Sequence, residues 1–198
     1  MFRVLTHPAD AFYETRHREL GSVPLALACV AAFAACFTLN RVFASFIVND
    51  VDPMGVNGLL ELSAIFLLVF LFAAGNWSVT CLMNGEGRFK DILTVAGYSL
   101  LPAIIAFIIA TIVSRFIASG EETFYRIILA GGIVWTVGLL LLGVMTVHNY
   151  TLAKTLATLI LTVLSMLAII FFTLLIIDML NQAVGFFYGI YIELLFRA

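Results

Sequence analysis

The chain has 198 residues, of which 63% are hydrophobic and 11% are charged, and its formal net charge at pH 7 is −2. Its mean hydropathy is +1.13. Soluble domains usually carry about a quarter charged residues. The composition therefore excludes an ordinary soluble protein and indicates that the lipid bilayer is the solvent.

The first 20 residues predict a short amphipathic helix, which we call the leader. Asp10 follows Pro8 and can cap this helix, while Phe12 and Leu20 lie eight residues apart on one face. A helix of this kind suits the headgroup layer, with its apolar face toward the acyl chains. The alternative is a solvated leader without a fixed place.

Five charge-free runs follow, and each reaches the roughly 20 residues that a helix needs to cross the hydrocarbon core. We predict spans at about 23–40, 62–83, 92–114, 127–147 and 155–177. Backbone groups in lipid need internal partners, so runs of this length predict helices rather than the shorter strands of a barrel. The prediction is an all-α polytopic membrane protein with one five-helix membrane domain, residues 21–180.

A charged turn joins the second and third predicted spans. Gly85 and Gly87 permit a tight reversal. Arg88 and Lys90 hold the turn on the cytoplasmic face, and Asp91 can cap the third helix. The stretch lacks the preceding strand and the spacing of a phosphate-binding loop, so no nucleotide is expected there.

The third predicted span contains a bend. Pro102 leaves a carbonyl near Tyr98 without its usual hydrogen bond, while Gly97 allows a close helix neighbour. Tyr98 and Ser99 are placed to satisfy the polar groups that the bend frees.

The fourth predicted span carries glycines that allow close helix contact, Gly131, Gly132, Gly138 and Gly143. Gly138 and Gly143 are the candidates for binding a partner helix. The fifth span ends at Asp178, an intramembrane acid that is more typical of a helix end than of a proton carrier.

The C-terminal segment, residues 181–198, predicts a separate interfacial helix. Asp178, Asn181 and Gln182 interrupt a possible further span. The aromatic side chains that follow are typical of the membrane–water boundary.

Catalytic and metal-binding patterns are not recognisable. His7, His17 and His148 are scattered without helical ligand spacing. No Ser-His-Asp set or carboxylate pair converges in the spans. We expect no enzymatic activity, no cofactor, no metal and no nucleic-acid partner.

Five spans put the two termini on opposite sides of the membrane. The N-terminal side carries six Lys and Arg residues and the far side four. The bias of these cations toward the cytoplasm predicts a multi-pass protein of the cell membrane with a cytoplasmic N-terminus and a C-terminus on the opposite side.

Four stretches of the chain resemble the Yip family, the Ypt/Rab-interacting membrane proteins, in its bacterial branch. They are HPADAFYETRHRELGSV, NWSVTCLMNGEGRFKDILTVAGYSLLP, HNYTLAKTL and YIELLFR. The resemblance implies a multispanning, non-enzymatic membrane protein, whose eukaryotic relatives engage small GTPases and form complexes with one another. This chain lacks their long hydrophilic N-terminal region, so small-GTPase binding is not expected.

Two functions remain open. The first is a scaffold or accessory subunit for a membrane partner, a transporter being one candidate partner, or a homo-oligomer. The second is a small oligomeric transporter or channel, suggested by the polar residues in or near the spans, Asn40, Asn76, Tyr98, Ser99 and Asp178.

Overall fold

A computed structural model of the chain describes residues 3–17, 21–118 and 120–197. These residues form eight α-helices and one short 3₁₀ turn at Pro53–Gly55. The helices are α1 (Arg3–Thr6), α2 (Pro8–His17), α3 (Val23–Phe43), α4 (Gly58–Leu82), α5 (Phe89–Ser99), α6 (Leu101–Val113), α7 (Glu122–His148) and α8 (Leu152–Arg197).

Five segments of the described chain are long and apolar enough to cross a membrane: α3, α4, α5 together with α6, α7, and Leu152–Glu193 of α8. The predicted all-α architecture with five spans is confirmed. Helix α4 begins four residues before the predicted start of its span because the side chain of Asn57 accepts the N–H groups of Leu59 and Leu60.

The third span is the core of the bundle. In its most apolar stretch 72% of the residues are buried, whereas no other span exceeds 28%. Helices α3 and α7 pack against both α5 and α6, and α4 packs against α3, α5 and α8. The first half of this span, α5, is therefore surrounded by protein, whereas the exposed isoleucines of α6 lie on the outer surface.

The predicted bend in this span is a break between α5 and α6 at Leu100. Pro102 lies in the first turn of α6, where a missing N–H costs little. Tyr98 does not serve the break: its hydroxyl accepts the N–H of Ser22 at 3.2 Å and donates to the carbonyl of Ser22 at 3.3 Å. The tyrosine therefore fastens the third span to the start of the first.

The leader packs onto the bundle instead of lying only among headgroups. The side chain of Phe12 is 0% exposed, in a cluster with residues of α3, α5 and α7. Helix α2 begins at Pro8, so Asp10 lies in its first turn and not at the predicted cap position. Leu20, the other residue of the predicted apolar face, lies outside the described residues.

Helix α8 runs for 46 residues. The C-terminal segment is helical, but it continues the fifth span where the sequence predicts a separate helix beginning at residue 181. The polar residues do not stop the helix because the carboxylate of Asp178 accepts the amide of Gln182 one turn later, at 2.8 Å. At 1.5 Å per residue the helix is about 69 Å long, more than twice the thickness of the hydrocarbon core.

Candidate functional site

The charged turn, the end of α7 and the leader form one polar cluster at the same end of the bundle. We call it the leader-side cluster, and its members are Arg16, Asn76, Gly85, Glu86, Gly87, His148, Tyr150 and Lys154.

The two glycines of the turn serve close approach and not reversal of the chain. The left-handed backbone conformation in this turn belongs to Asn84, with φ of 53°, and not to Gly85 or Gly87. A Cβ on Gly85 would lie 2.7 Å from Nδ1 of His148, and a Cβ on Gly87 would lie 2.6 Å from its Cε1. The predicted role of the glycines is thus corrected: they let the turn lie directly against the imidazole.

His148 connects three elements through its two ring nitrogens. It is 1% exposed, and Nδ1 accepts the backbone N–H of Gly87 at 3.1 Å. This contact fixes the neutral tautomer with the proton on Nε2. Nε2 then donates to Oδ1 of Asn76 on α4 at 3.3 Å.

The hydrogen bonds continue from Asn76 into α8. The side chain of Asn76 is fully buried, and its amide donates to Oγ1 of Thr162 at 3.0 Å. Thr162 donates to the carbonyl of Thr158 at 2.8 Å. Because every member has a partner, the chain of bonds fixes the relative positions of the turn, α4, α7 and α8 at this end.

Tyr150 covers one face of the imidazole of His148. Its ring is stacked on that of His148 with 5.3 Å between the centroids, and its hydroxyl donates to the carbonyl of Met83 at 3.1 Å. The ammonium of Lys154 lies 4.0 Å from the centroid of the Tyr150 ring. Burial raises the pKa of the Tyr150 hydroxyl, with a smaller contribution from Cys81, so it remains a donor at neutral pH.

Arg16 ties the leader to this cluster. Its guanidinium donates to the carbonyl of Val147 at the end of α7 and pairs with Oε2 of Glu86 at 3.1 Å. The Val147 carbonyl is one of the last four of its helix, which lack intrahelical partners and carry partial negative charge. Glu86 is more than half exposed, so the bond to the carbonyl is the stronger of the two contacts.

The three charged residues that complete the predicted turn lie beside the cluster. Helix α5 begins at Phe89, so Asp91 is in its first turn and Arg88 at the cap position, which corrects the predicted cap. The buried Asp91 carboxylate accepts both the backbone N–H and Nε of Arg88 at 3.2 Å. The side chain of Lys90 is exposed.

The remaining predicted residues lie away from the cluster. Gly143 is a close contact, since a Cβ there would lie 2.4 Å from Cγ1 of Val95. Gly138 is exposed and a Cβ there would meet nothing within 4 Å. Asp178 is exposed on α8. Of the two glycines, only Gly143 therefore serves contacts within the chain.

The sequence does not bring the two central residues together: it places Asn76 among the polar residues of a possible transporter and His148 among three scattered histidines. A short internal similarity marks both positions: NWSVT begins at Asn76, and NYTLA begins one residue after His148. Each of these two stretches ends a span on the leader side, and that was the one signal available.

A family model described as the Yip1 domain matches residues 2–176. The match includes the leader, all five spans up to the first half of α8, and every residue of the leader-side cluster. No curated protein and no solved structure matched the chain. Since the family model covers far more than half of the sequence, this multi-pass membrane protein belongs to the Yip1-domain family.

Proposed function

We propose that this protein is a non-enzymatic scaffold or accessory subunit that binds a membrane partner, or a second copy of itself, through α8. The observation that carries the proposal is the uncovered length of this helix. Every residue from 170 to 191 is exposed. In the most apolar stretch of α8 only 6% of the residues are buried.

The start of α8 is firmly attached and its remainder is not. Thr162 bonds to Asn76, and Met166 lies so close to α4 that a Cβ on Gly75 would be 3.0 Å from its Cγ. Beyond Ile169 no side chain of α8 is buried among the residues whose side chains are described. A helix longer than two thicknesses of hydrocarbon is not covered by one bilayer crossing, and this supports the proposal that its outer part binds a second surface.

The exposed part of α8 carries a surface suited to another helix. Gly185 and Gly189 are four residues apart, and a Cβ on either would meet nothing within 4 Å. Small residues at this spacing let two helix backbones approach closely in lipid, where van der Waals contact drives association. Gly138 on α7 is uncovered in the same way.

The alternative, a transporter or channel, has less support. Its polar residues are dispersed: Asn40 bonds to Thr111 and Tyr125, whereas Asn76 bonds within the leader-side cluster. Asp178 lies on the outer surface of α8. A transport path needs such groups along one line, and here they satisfy separate helix contacts.

We propose that the protein lies in the cell membrane and that its leader-side cluster faces the cytoplasm. The support is the excess of Lys and Arg in the leader and the two connections beside it. A reporter enzyme active only outside the cytoplasm, fused after Ala198, tests this; activity is expected, and its absence together with activity of an N-terminal fusion would reverse the orientation.

The function is tested by the mass and composition of the native-level protein in nanodiscs. We expect either a stoichiometric second membrane protein or a dimer, and loss of that species in the double variant Gly185→Leu/Gly189→Leu. Ala183→Leu adds a large apolar side chain to nearly the opposite face of α8 and is the control. A complex that survives the double glycine variant would refute binding through this surface.

A further inference from the structure

Two buried hydroxyls lie in the wall of one cavity. Among the buried side-chain nitrogen and oxygen atoms of the described residues, only Oγ of Ser99 and Oγ1 of Thr136 have no hydrogen-bond partner. Both residues line a cavity of about 410 Å³ between α4, α5, α7 and α8. Ser99 is 1% exposed. Burying a hydroxyl without a hydrogen-bond partner costs free energy. Because both unpaired hydroxyls border the same cavity, a molecule bound in that cavity would explain them.

Neighbouring hydroxyls on the same helices do not share this condition. On α5, Thr94 donates to the carbonyl of Lys90 at 2.7 Å, and on α7, Thr146 donates to that of Leu142 at 2.7 Å. Bonding back to the preceding turn is the usual solution for a hydroxyl in a membrane helix. Ser99 and Thr136 do not make this bond to the preceding turn, and both border the cavity.

The rest of the wall is apolar and reaches the lipid-facing surface. Phe72, Ala96, Leu140 and Leu159 contribute one side chain from each helix, and no lining residue is charged. Leu68 and Val163 also line the cavity and are more than half exposed, so it opens toward the acyl chains. An apolar cavity of this size with a few polar groups is typical of a small-molecule site.

The depth of the hydroxyls restricts the occupant. Ser99 is ten residues into its span, about 15 Å along the helix, and Thr136 lies near the middle of α7. The ester carbonyls of phospholipids lie at the edge of a hydrocarbon core about 30 Å thick and do not reach this level. A partner helix, about 10 Å across, is too wide to enter.

We propose that this cavity binds one neutral lipophilic molecule with a carbonyl group at the level of the membrane centre, of the isoprenoid quinone class. The carbonyl accepts hydrogen bonds from Ser99 and Thr136 after rotation of their side chains, and the chain of the molecule leaves past Leu68 and Val163. Neutrality is required because the wall offers no countercharge.

The test is equilibrium binding of decylubiquinone to the full chain in phosphatidylcholine nanodiscs. Saturable binding is expected, and Ser99→Ala/Thr136→Val should weaken it about tenfold, since two neutral hydrogen bonds are lost. Ser78→Ala/Thr146→Val removes two hydroxyls that bond their own helices outside the cavity and should leave binding unchanged.

Two outcomes would overturn the proposal. One is no saturable binding, in which case phospholipid chains alone fill the cavity; the other is equal binding by the parent and the Ser99→Ala/Thr136→Val variant. That variant removes unpaired groups, so the empty protein should resist heat at least as well as the parent. If the Ser99→Ala/Thr136→Val variant does not fold, Val163→Phe is the second test, because the larger side chain fills the cavity from the exposed side of α8. Unchanged quinone binding by Val163→Phe would also refute the site.

Discussion

Gly87 donates its backbone N–H to Nδ1 of His148, 61 positions later in the chain, at 3.1 Å. The contact requires glycine because a side chain at position 87 would occupy the space of the imidazole. A turn that the sequence marks only as a tight reversal is therefore one half of a specific contact, and the other half is the last residue of α7.

Replacing Gly87 by alanine should destabilise the protein by about 1–3 kcal/mol, because the new methyl group overlaps His148 and Val147. A Cβ at this position would lie 2.6 Å from atoms of both residues. Unfolding by denaturant in mixed micelles measures the loss. Gly55→Ala is the control, since a Cβ there meets nothing within 4 Å, and an equal loss in both variants would contradict the proposed contact.

His148 and Asn76 should be energetically coupled. Either change to alanine leaves a buried partner unpaired and should cost about 2 kcal/mol of unfolding free energy. The double variant should cost less than the sum, by about 1 kcal/mol or more. Asn40, which bonds to Tyr125 away from the cluster, provides the control: its alanine change should add to that of His148. Additivity in both cycles would show that the bond contributes nothing.

Arg16→Gln should loosen the attachment of the leader to the bundle. The guanidinium satisfies the carbonyl of Val147, and a charge-assisted bond of this kind is worth about 1.5–3 kcal/mol. Hydrogen exchange of the amides in Pro8–His17 should become at least about tenfold faster. Arg3→Gln removes a more exposed ion pair with Glu14 and should change exchange little. Similar exchange in the Arg16 variant and the parent would refute the tie.

Gly143→Ala and Gly138→Ala should have opposite effects, although both lie in α7. At position 143 the methyl group would overlap Val95 and lower stability by about 1–3 kcal/mol. At position 138 there is space, and alanine in place of glycine in a helix should raise stability by about 0.5–1 kcal/mol. Thermal unfolding distinguishes the two, and a loss at position 138 would indicate a contact that the single chain does not show.

The sequence predicts the spans well because hydrophobic run length is a property of each segment alone. The break at Leu100, two residues before Pro102, is predictable for the same reason, since the missing N–H of proline is local. The structural role of His148 is not predictable in this way, because its hydrogen bonds are made to Gly87 and Asn76, which are 61 and 72 positions away. The leader is intermediate: its helix is local, but the burial of Phe12 requires the space at Gly143.

The C-terminal half of α8 shows a different limit. The polar residues around Asp178 reduce hydrophobicity, which favours the end of a span, yet they can continue a helix by bonding one turn apart. Composition reports where a segment prefers to lie and not whether its backbone is interrupted. The location of residues 181–198 at an interface therefore remains a prediction.

The uneven attachment of α8 makes it a lever. Its base is joined through Thr162, Asn76 and His148 to the turn that Arg16 closes, whereas the part beyond residue 170 is uncovered. That outer arm is about 40 Å long, so a tilt of about 10° at the base moves the tip by about 7 Å. Any tilt of the attached base of α8 is thereby magnified at the C-terminal end of the helix, which moves by about 40 Å per radian of tilt.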